Sequence, residues 1–377
     1  MRVGRSVIAV IAVTACAMTM TAVPAIAGDE DRGHGRPDPI KVIATGLAGP
    51  LQLADGGGSS LLVTQAFSGE ITKVNVRTGE KTAIISGAFG ASGASRIGNK
   101  IAFVTGVSGG PPPEEAVASS TAARLVPSPP MEIPPDEGSL YVAKSGQEPT
   151  KLADLVEYEL ANNPDQQTQF DPNGVPYDAL SNPFSVIPDR SRGGFALVAD
   201  GGGNDVLRVN ARGKVSTFFV PPLVTSGECA TRPNNGDDPF GCDPVATGMA
   251  YGPLNTVFLA TLSGEAQGEG RIYILDGRGD KAKVLKVVSG FNSPTGVAVD
   301  NRGNMYVSEL LNGQIVKVAW NGKRSYAAVT EPSAVFVSGG KLYSTAQTFT
   351  DGQIVQVKDS AFGKDPVPPP PPAPPAP

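Results

Sequence analysis

Histidine is nearly absent from this chain, because one residue, His34, occurs among 377. Ser-His-Asp triads, His-rich zinc sites and most haem sites depend on histidine side chains. His34 falls within residues 28–39, a polar leader that we expect to be disordered, so we interpret it as a solvated side chain. The folded part of the chain is therefore predicted to contain no catalytic or metal-binding histidine.

Charge and aromatic rings are also scarce. Charged residues make up 18% of the chain, the net charge is −5 and the isoelectric point is about 5.1. A nucleic-acid-binding protein would show a basic patch, so we expect no nucleic-acid partner. Aromatic residues make up 6%, which is modest for a carbohydrate-binding surface. Hydrophobic residues reach 40%, enough for a core, and the length suits two or three average domains or one large all-β domain.

The N-terminal segment, residues 1–27, has the layout of a secretory signal peptide. Arg2 and Arg5 precede an uncharged apolar run at residues 6–15, and Ala25-Ile26-Ala27 ends at a polar stretch. We predict cleavage after Ala27, which leaves a secreted protein without a transmembrane segment. Two alternatives remain open. The segment could stay as an uncut anchor, or Cys16 could carry a lipid, since Val13-Thr14-Ala15-Cys16 resembles a bacterial lipobox.

Cleavage at this site leaves two cysteines, Cys229 and Cys242. An even number of cysteines in an oxidising compartment predicts a disulfide bond. Closing a loop of this length is worth about 3 kcal/mol in the chain-entropy model. A two-cysteine metal site is the alternative, but no histidine lies nearby and the spacing is unlike that of zinc sites.

Short predicted strands separated by turn residues recur along the chain. The clearest unit, residues 293–330, holds four strands, and Asn321-Gly322 within it is a type I′ hairpin signal. Four antiparallel strands in about 40 residues make the size of one propeller blade. Similar units begin near residues 49, 94, 182, 245 and 333.

The last unit, residues 333–357, has only three predicted strands, whereas residues 40–45 form a strand without a partner. A propeller can complete its last blade with an N-terminal strand, which removes open sheet edges. We therefore predict an all-β fold, a six-bladed β-propeller over residues 40–360. A two-sheet sandwich and a β-solenoid are the alternatives, and the repeat is too long for most solenoids.

Two insertions and a tail interrupt this repeat. Residues 106–138 are proline-rich and predict a long surface excursion, and residues 361–377 predict an extended proline-rich tail. Residues 149–162 predict an amphipathic helix with Thr150 as its N-cap, packed against the propeller. Its apolar positions recur at helical spacing, namely Leu152, Leu155, Val156 and Leu160.

Residues 151–163 (KLADLVEYELANN), 180–210 and 214–219 resemble the ScyD/ScyE family of exported bacterial propellers with NHL-like repeats. The resemblance spans about residues 40–357. Its most specific part is the helix followed by Asn-Pro-Phe and a Val-Ala-Asp-Gly-Gly-Gly-Asn-Asp turn. It implies location and fold, but no established reaction and no catalytic residues. The first blade departs from the family pattern, because Gln65 stands where an acidic residue is common.

Propeller ligands usually bind near the central channel, on loops at one end of the blades. We expect this rim to contain residues near the end of the second strand of each unit, namely Gln65, Lys144, Asp200, Thr261, Glu309 and Ala346. Asp200 and Glu309 would be its acidic pair, with Asn204, Asp205 and Asn312 beside them. Such oxygen ligands suit Ca²⁺.

The alternative is that these side chains cap backbone N–H groups of turns. The glycines at 201–203 do not form a phosphate-binding loop, since no Lys-Ser/Thr follows them. The Asn and Asp residues beside them permit positive φ in a turn. Trp320 is expected in the core.

These observations predict a secreted, monomeric, non-catalytic propeller without a cofactor, which binds a small molecule or a cell-envelope protein. The alternative is a calcium-dependent hydrolase or lactonase with Asp200 and Glu309 at the metal. Quinone-dependent sugar dehydrogenases and lyases of this architecture rely on histidine, so both are disfavoured.

Overall fold

The computed structural model describes residues 38–106, 137–144, 147–177, 179–234, 236 and 240–367. The predicted signal peptide with Cys16, nearly all of the leader with His34, most of the proline-rich insertion and the end of the tail lie outside these residues. Predictions about them therefore stay predictions.

Six four-stranded antiparallel sheets form the described part of the chain. Blade 1 contains β2 (Pro50–Gly57), β3 (Ser60–Gln65), β4 (Glu70–Asn75) and β5 (Lys81–Ile85). Blade 2 contains β6 (Ala91–Ile97), β7 (Lys100–Thr105), β8 (Ser139–Lys144) and β9 (Thr150–Asp154). Blade 3 contains β10 (Pro183–Pro188), β11 (Gly194–Asp200), β12 (Asp205–Asn210) and β13 (Val215–Phe219).

The remaining blades follow the same order. Blade 4 contains β14 (Ala246–Tyr251), β15 (Thr256–Thr261), β16 (Gly270–Asp276) and β17 (Lys283–Phe291). Blade 5 contains β18 (Pro294–Val299), β19 (Met305–Glu309), β20 (Gln314–Val318) and β21 (Arg324–Ala328). Blade 6 contains β22 (Val335–Ser338), β23 (Lys341–Ala346), β24 (Gly352–Val357) and the N-terminal strand β1 (Ile40–Leu47). The six-bladed propeller is thus confirmed.

The N-terminal strand closes the ring, as predicted. β1 pairs with β24 in antiparallel register, with Ile40 opposite Val357 and Leu47 opposite Gly352. Leu47 is buried in a cluster that includes Leu61 of blade 1 and Ile354 of blade 6. Because this cluster joins the first blade to the last, β1 both completes blade 6 and seals its junction with blade 1.

Small residues let the first strands of neighbouring blades pack closely around the axis. A Cβ atom on Gly248 of β14 would lie 2.6 Å from the carbonyl oxygen of Thr295 in β18, closer than real Cβ contacts. Hydroxyl groups then link the blades by donating to backbone carbonyls across the junctions. These bonds run from Thr64 to Ser92 (3.0 Å), Ser92 to Pro183 (2.5 Å), Ser185 to Thr247 (2.7 Å), Thr247 to Pro294 (2.9 Å) and Thr295 to Ser333 (2.7 Å).

The inserted helix is shorter than predicted. Residues Thr150–Asp154 form β9, the outer strand of blade 2, and α1 covers only Leu155–Asn162. Asp154, not Thr150, is the N-cap, and its carboxylate accepts from the N–H of Glu157. The edge of β8 needed a partner strand, and this tertiary demand overrides the helical spacing of Leu152. The predicted end of the helix is right, since Asn163 is the left-handed C-cap.

Candidate functional site

One end of the propeller carries all the long connections. The second strand of each blade ends there and the third begins there, and the chain also passes from blade to blade there. We call this end the insertion face. Its described residues include α1 with residues 163–177 and 179–182, and the described part of residues 220–245 with the disulfide. The opposite end carries short turns.

The structure places five of the six predicted rim residues at the expected strand ends. β3 ends at Gln65 and β15 at Thr261, and Asp200, Glu309 and Ala346 end their strands likewise. The prediction that Lys144 lies on the rim is wrong. This residue ends the third strand of blade 2 and pairs with Lys100 at the opposite end of that blade. The equivalent residue is Thr105, and the long insertion after it obscured the count of strands.

Glu309 is held by groups of its own blade. One carboxylate oxygen accepts from the backbone N–H of Asn292 at 2.8 Å, and the other accepts from the side-chain amide of Gln314 at 2.6 Å. Burial raises the pKa of Glu309, and these two bonds partly offset the effect. Glu309 therefore fixes the chain entering blade 5, which is the turn-capping role.

Blade 1 contains the same arrangement with the two side chains exchanged. Gln65 lies directly opposite Glu70, donates to its carboxylate at 3.1 Å, and accepts from the backbone N–H of Ala48 at 2.7 Å. In blade 5 the carboxylate is on the second strand and the amide on the third. The missing acidic residue at Gln65 is therefore compensated by Glu70 across the strand pair.

Asp200 has the same role in blade 3. Its carboxylate accepts from the backbone N–H groups of Asn182 (2.7 Å), Gly202 and Gly203 (3.1 Å each) and from the Ser181 hydroxyl (2.5 Å). Burial raises the pKa of Asp200 despite these donors. Its oxygens are thus engaged in the turn and in the entry to β10.

Of the three glycines after Asp200, Gly202 is the one needed for space. Asn204 takes the left-handed conformation with φ of 51°, as expected for an asparagine beside glycine, whereas none of the three glycines has positive φ. A Cβ atom on Gly202 would lie 2.3 Å from the carbonyl oxygen of Ala179. The turn is packed directly against the backbone that leads into blade 3.

Asp205 differs from every other rim residue. It lies directly opposite Asp200 in the β11–β12 pair and is 1% exposed, yet neither of its carboxylate oxygens has a hydrogen-bond partner. Burial raises its pKa well above the usual range, and the charges of Asp200, Glu159 and Asp165 raise it further. Blade 3 thus places two carboxylates where blades 1 and 5 pair a carboxylate with an amide.

Two acidic side chains, Glu159 of α1 and Asp165 of the segment after it, act on Asp205 through their charges, and amide side chains bind these and a further carboxylate. Asn204 donates to Asp165 at 2.9 Å, and Gln167 donates to Asp243 at 2.5 Å. Gln169 donates to the Glu159 carboxylate at 3.0 Å. The sequence grouped Asn204 and Asp205 with Asp200, but it gave no signal for Glu159, Asp165 or Asp243, which come from distant segments.

Asp200 and Glu309 lie two blades apart and share no hydrogen-bond partner. Asn312 is buried in the turn between β19 and β20. Across the ranges that the structure describes, no group of three or more His, Cys, Asp and Glu side chains is arranged to hold a metal ion.

The predicted disulfide is present between Cys229 and Cys242, with an S–S distance of 2.05 Å. Both cysteines are buried in a small cluster with Val224 and Ala266. The bond closes a loop within residues 220–245, and the cluster with Ala266 and the contact of Cys229 with the Ser263 carbonyl pack that loop against the connection between β15 and β16. Within the described residues, no helix has the length and apolar character needed to cross a membrane.

Apolar side chains are exposed on the loops of the insertion face. They are Phe89, Leu160, Phe170, Val175, Tyr177, Phe240 and Leu311. The prediction that Trp320 lies in the core is wrong. Its side chain is 80% exposed, in the turn after β20 at the opposite end of the propeller. That end also has a cleft of about 380 Å³ beside Arg190 and Tyr251.

Known structures share this fold. No family model and no curated protein matches the chain. A gluconolactonase from Xanthomonas campestris is 10% identical to this chain with a TM-score of 0.53, and the alignment covers 84% of this chain and 89% of the gluconolactonase. A protein of unknown function from Bacteroides thetaiotaomicron is 13% identical with a TM-score of 0.53, covering 84% and 75%. An aldose sugar dehydrogenase from Streptomyces coelicolor, bound to PQQ, is 14% identical with a TM-score of 0.50, covering 84% and 97%. These identities establish the propeller fold alone.

Proposed function

We propose that this chain is a secreted, monomeric, non-catalytic propeller of the ScyD/ScyE type that binds a protein of the cell envelope through its insertion face. The observation that carries the proposal is the concentration of exposed apolar side chains on the loops of that face. Aromatic residues are enriched where proteins bind other proteins. A small-molecule ligand on the channel rim is the other occupant that the sequence allows.

Four exposed aromatic residues come from three separate connections of the insertion face. Phe89 lies between blades 1 and 2, Phe170 and Tyr177 follow α1, and Phe240 lies beside the disulfide. Loops are free to vary on a rigid scaffold, so they commonly carry binding residues. The buried disulfide holds one of these loops in place, which favours a preformed surface.

The hydrogen bonds of Asp200 and Glu309 support a non-catalytic role for these two carboxylates. A general base needs an oxygen that can reach a substrate proton. The oxygens of Asp200 and Glu309 instead accept hydrogen bonds from donors of their own blades. Both carboxylates thereby stabilise the entries to blades 3 and 5.

A photo-reactive residue placed on each end of the propeller tests the binding face. We expect Tyr177 and Phe240 positions to form covalent adducts with one protein in intact cells, whereas the Trp320 position forms none. All three side chains are well exposed, so Trp320 is a matched control. Equal labelling from both ends, or none from Tyr177 and Phe240, would contradict the proposal.

A calcium-dependent lactonase or hydrolase is the second candidate. It is supported by the shared fold with the Xanthomonas campestris gluconolactonase and by the buried carboxylates on the insertion face. In this alternative Asp200 and Glu309 would hold Ca²⁺. Gluconolactone hydrolysis should be measured with calcium and with a chelator, using Glu309→Gln as the control. Turnover that needs both calcium and Glu309 would replace the binding proposal.

Secretion is part of the proposal and is tested at the N-terminus. The disulfide fits a protein outside the cytoplasm. Mass spectrometry of the protein from its host should find a chain that begins at Gly28. An acylated chain that begins at Cys16 would instead show lipid attachment.

A further inference from the structure

The buried carboxylate of Asp205 lacks the partner that its counterparts have. Residues directly opposite on neighbouring strands interact, and like charges there are destabilising. Blades 1 and 5 satisfy this position with the pairs Gln65–Glu70 and Glu309–Gln314. In blade 3, Asp200 is already saturated by four donors, and it offers Asp205 no hydrogen.

The unsatisfied side-chain oxygens of Asp205 and of the segment that follows α1 are all acceptors. Both Asp205 oxygens, the side-chain oxygen of Asn163 and the side-chain oxygen of Gln167 are buried without a donor. Among the described residues, every other buried side-chain atom without a partner belongs to a hydroxyl or carries N–H hydrogens. Oxygen acceptors that lack donors can be satisfied by a cation or by the hydrogens of bound water, but not by an anion.

Hydrogen bonds connect these residues into one cluster. The Asn163 amide donates to the backbone carbonyl of Gln167 at 2.8 Å, and the N–H of Gln167 donates to Asp165 at 3.1 Å. Asp165 accepts from Asn204, the neighbour of Asp205 in the chain. The amide groups of Asn163 and Gln167 thus have their N–H groups directed at protein acceptors, which leaves their oxygens available.

We propose that Asp205 is the principal ligand of a calcium ion in blade 3, with the side-chain oxygens of Asn163 and Gln167 completing the site together with water. Ca²⁺ takes six to eight oxygen ligands and accepts carboxylate, amide and water oxygens in flexible geometry. Carboxylates alone do not form the site, since Asp200 is occupied by the turn. The nearby charges of Glu159 and Asp165 strengthen attraction for a divalent cation.

The ion would join three elements that meet only in the folded protein. Asp205 begins β12, Asn163 ends α1, and Gln167 belongs to the segment leading to blade 3. Its ligands differ from the Asp200 and Glu309 pair considered for catalysis, although Asp205 lies opposite Asp200 on the neighbouring strand. The site does not depend on the proposed binding function. Its expected role is to hold α1 and the following segment of the insertion face against blade 3.

Calcium binding should be measured by calorimetry and thermal unfolding on the purified protein after chelator treatment. We expect one Ca²⁺ per chain, and a rise in melting temperature of about 5 °C at a concentration a hundred times Kd. Asp205→Asn should abolish both signals, whereas Glu309→Gln, another buried rim carboxylate, should retain them. Asp205→Asn without calcium should melt no lower than the chelated wild type, because it removes a buried carboxylate without donors.

A second variant keeps the test independent of folding. Asn163 has φ of 42°, which glycine tolerates at a helix C-terminus, so Asn163→Gly should fold and bind calcium more weakly. No heat and no thermal shift in the wild type up to on the order of 10 mM calcium, above the range of weak extracellular sites, would overturn the proposal. So would binding that survives Asp205→Asn, binding that Glu309→Gln removes, or a chelated Asp205→Asn that melts well below the chelated wild type.

Discussion

Exchanging Glu309 and Gln314 should leave the propeller almost as stable as the wild type, although Glu309→Gln alone should not. The single variant places two side-chain amides face to face, so an N–H group of Gln314 loses its acceptor. Gln314 cannot simply rotate, because its oxygen accepts from the N–H of Val367 at 2.8 Å. The double variant Glu309→Gln with Gln314→Glu restores a carboxylate–amide pair in the orientation that blade 1 already uses.

The size of the effect follows from these bonds. Hydrogen bonds to charged groups contribute about 1.5–3 kcal/mol and neutral ones about 0.5–1.5 kcal/mol. Burial raises the pKa of Glu309, so removing its charge returns part of this difference. We therefore expect Glu309→Gln to lower the free energy of unfolding by about 1–2 kcal/mol, and the double variant to recover most of that loss.

Equilibrium unfolding in guanidinium chloride of the wild type, both single variants and the double variant measures this coupling. The reverse exchange in blade 1, Gln65→Glu with Glu70→Gln, is the matched control and should behave alike. If the two single effects simply add in the double variant, the side chains do not act as a pair and the reasoning fails. The double variant also keeps a carboxylate in the blade but moves it from position 309 to position 314. If Glu309 were catalytic, this variant would therefore lose activity.

Three further predictions concern the closure, a turn and the disulfide. Leu47→Ala should lower the free energy of unfolding by about 2–5 kcal/mol. Val42 on the same strand is 49% exposed, so Val42→Ala should change the free energy of unfolding by less than about 0.5 kcal/mol. Equal effects of the two substitutions would refute the role of β1 in sealing the junction between blades 6 and 1. Burial would raise the pKa of Asp300, but hydrogen bonds from its own turn outweigh this and lower it. The stability that Asp300 contributes is therefore present above pH 4 or so and is lost as the pH falls. Urea unfolding should show Asp300→Asn less stable by about 1 kcal/mol at neutral pH, with the difference shrinking as the pH falls below 4 or so. A difference in stability that does not change with pH would contradict the lowered pKa. Replacing Cys229 and Cys242 by serine should lower the free energy of unfolding by about 3 kcal/mol in thermal or denaturant unfolding. An unchanged stability would show that the disulfide does not stabilise the protein by reducing the entropy of the unfolded chain.

The blade repeat was readable because each blade is a run of local hairpins. Glycine and asparagine mark the turns, and alternating apolar residues mark the strands, so neither signal needs the tertiary structure. The ends of β11 and β19 at Asp200 and Glu309 follow from the same pattern. The error at Lys144 arose where the insertion after Thr105 separates two paired strands, because a long loop hides which strand is second.

The chemical environment of the rim residues was harder to predict from the sequence. The residue types at Asp200 and Glu309 fit a metal site and a turn cap equally well, and only their donors distinguish the two. Thr150–Asp154 became a strand because the edge of β8 lies beside it, although its spacing also suits a helix. Trp320 follows the last residues of a strand, and only the placement of that turn exposes it.

By itself, the sequence determined the six repeats, the closing strand β1 and the pairing of Cys229 with Cys242, since each depends on residue types at short or countable spacings. The tertiary structure decided which side chains meet. It linked Asn163, Gln167 and Asp165 by hydrogen bonds and joined Asp165 to Asn204, the chain neighbour of Asp205, although the two segments are about 40 residues apart in the chain. It also left Asp205 without a donor, since the identity of a cross-strand partner depends on register and on which groups the surrounding turns have already engaged.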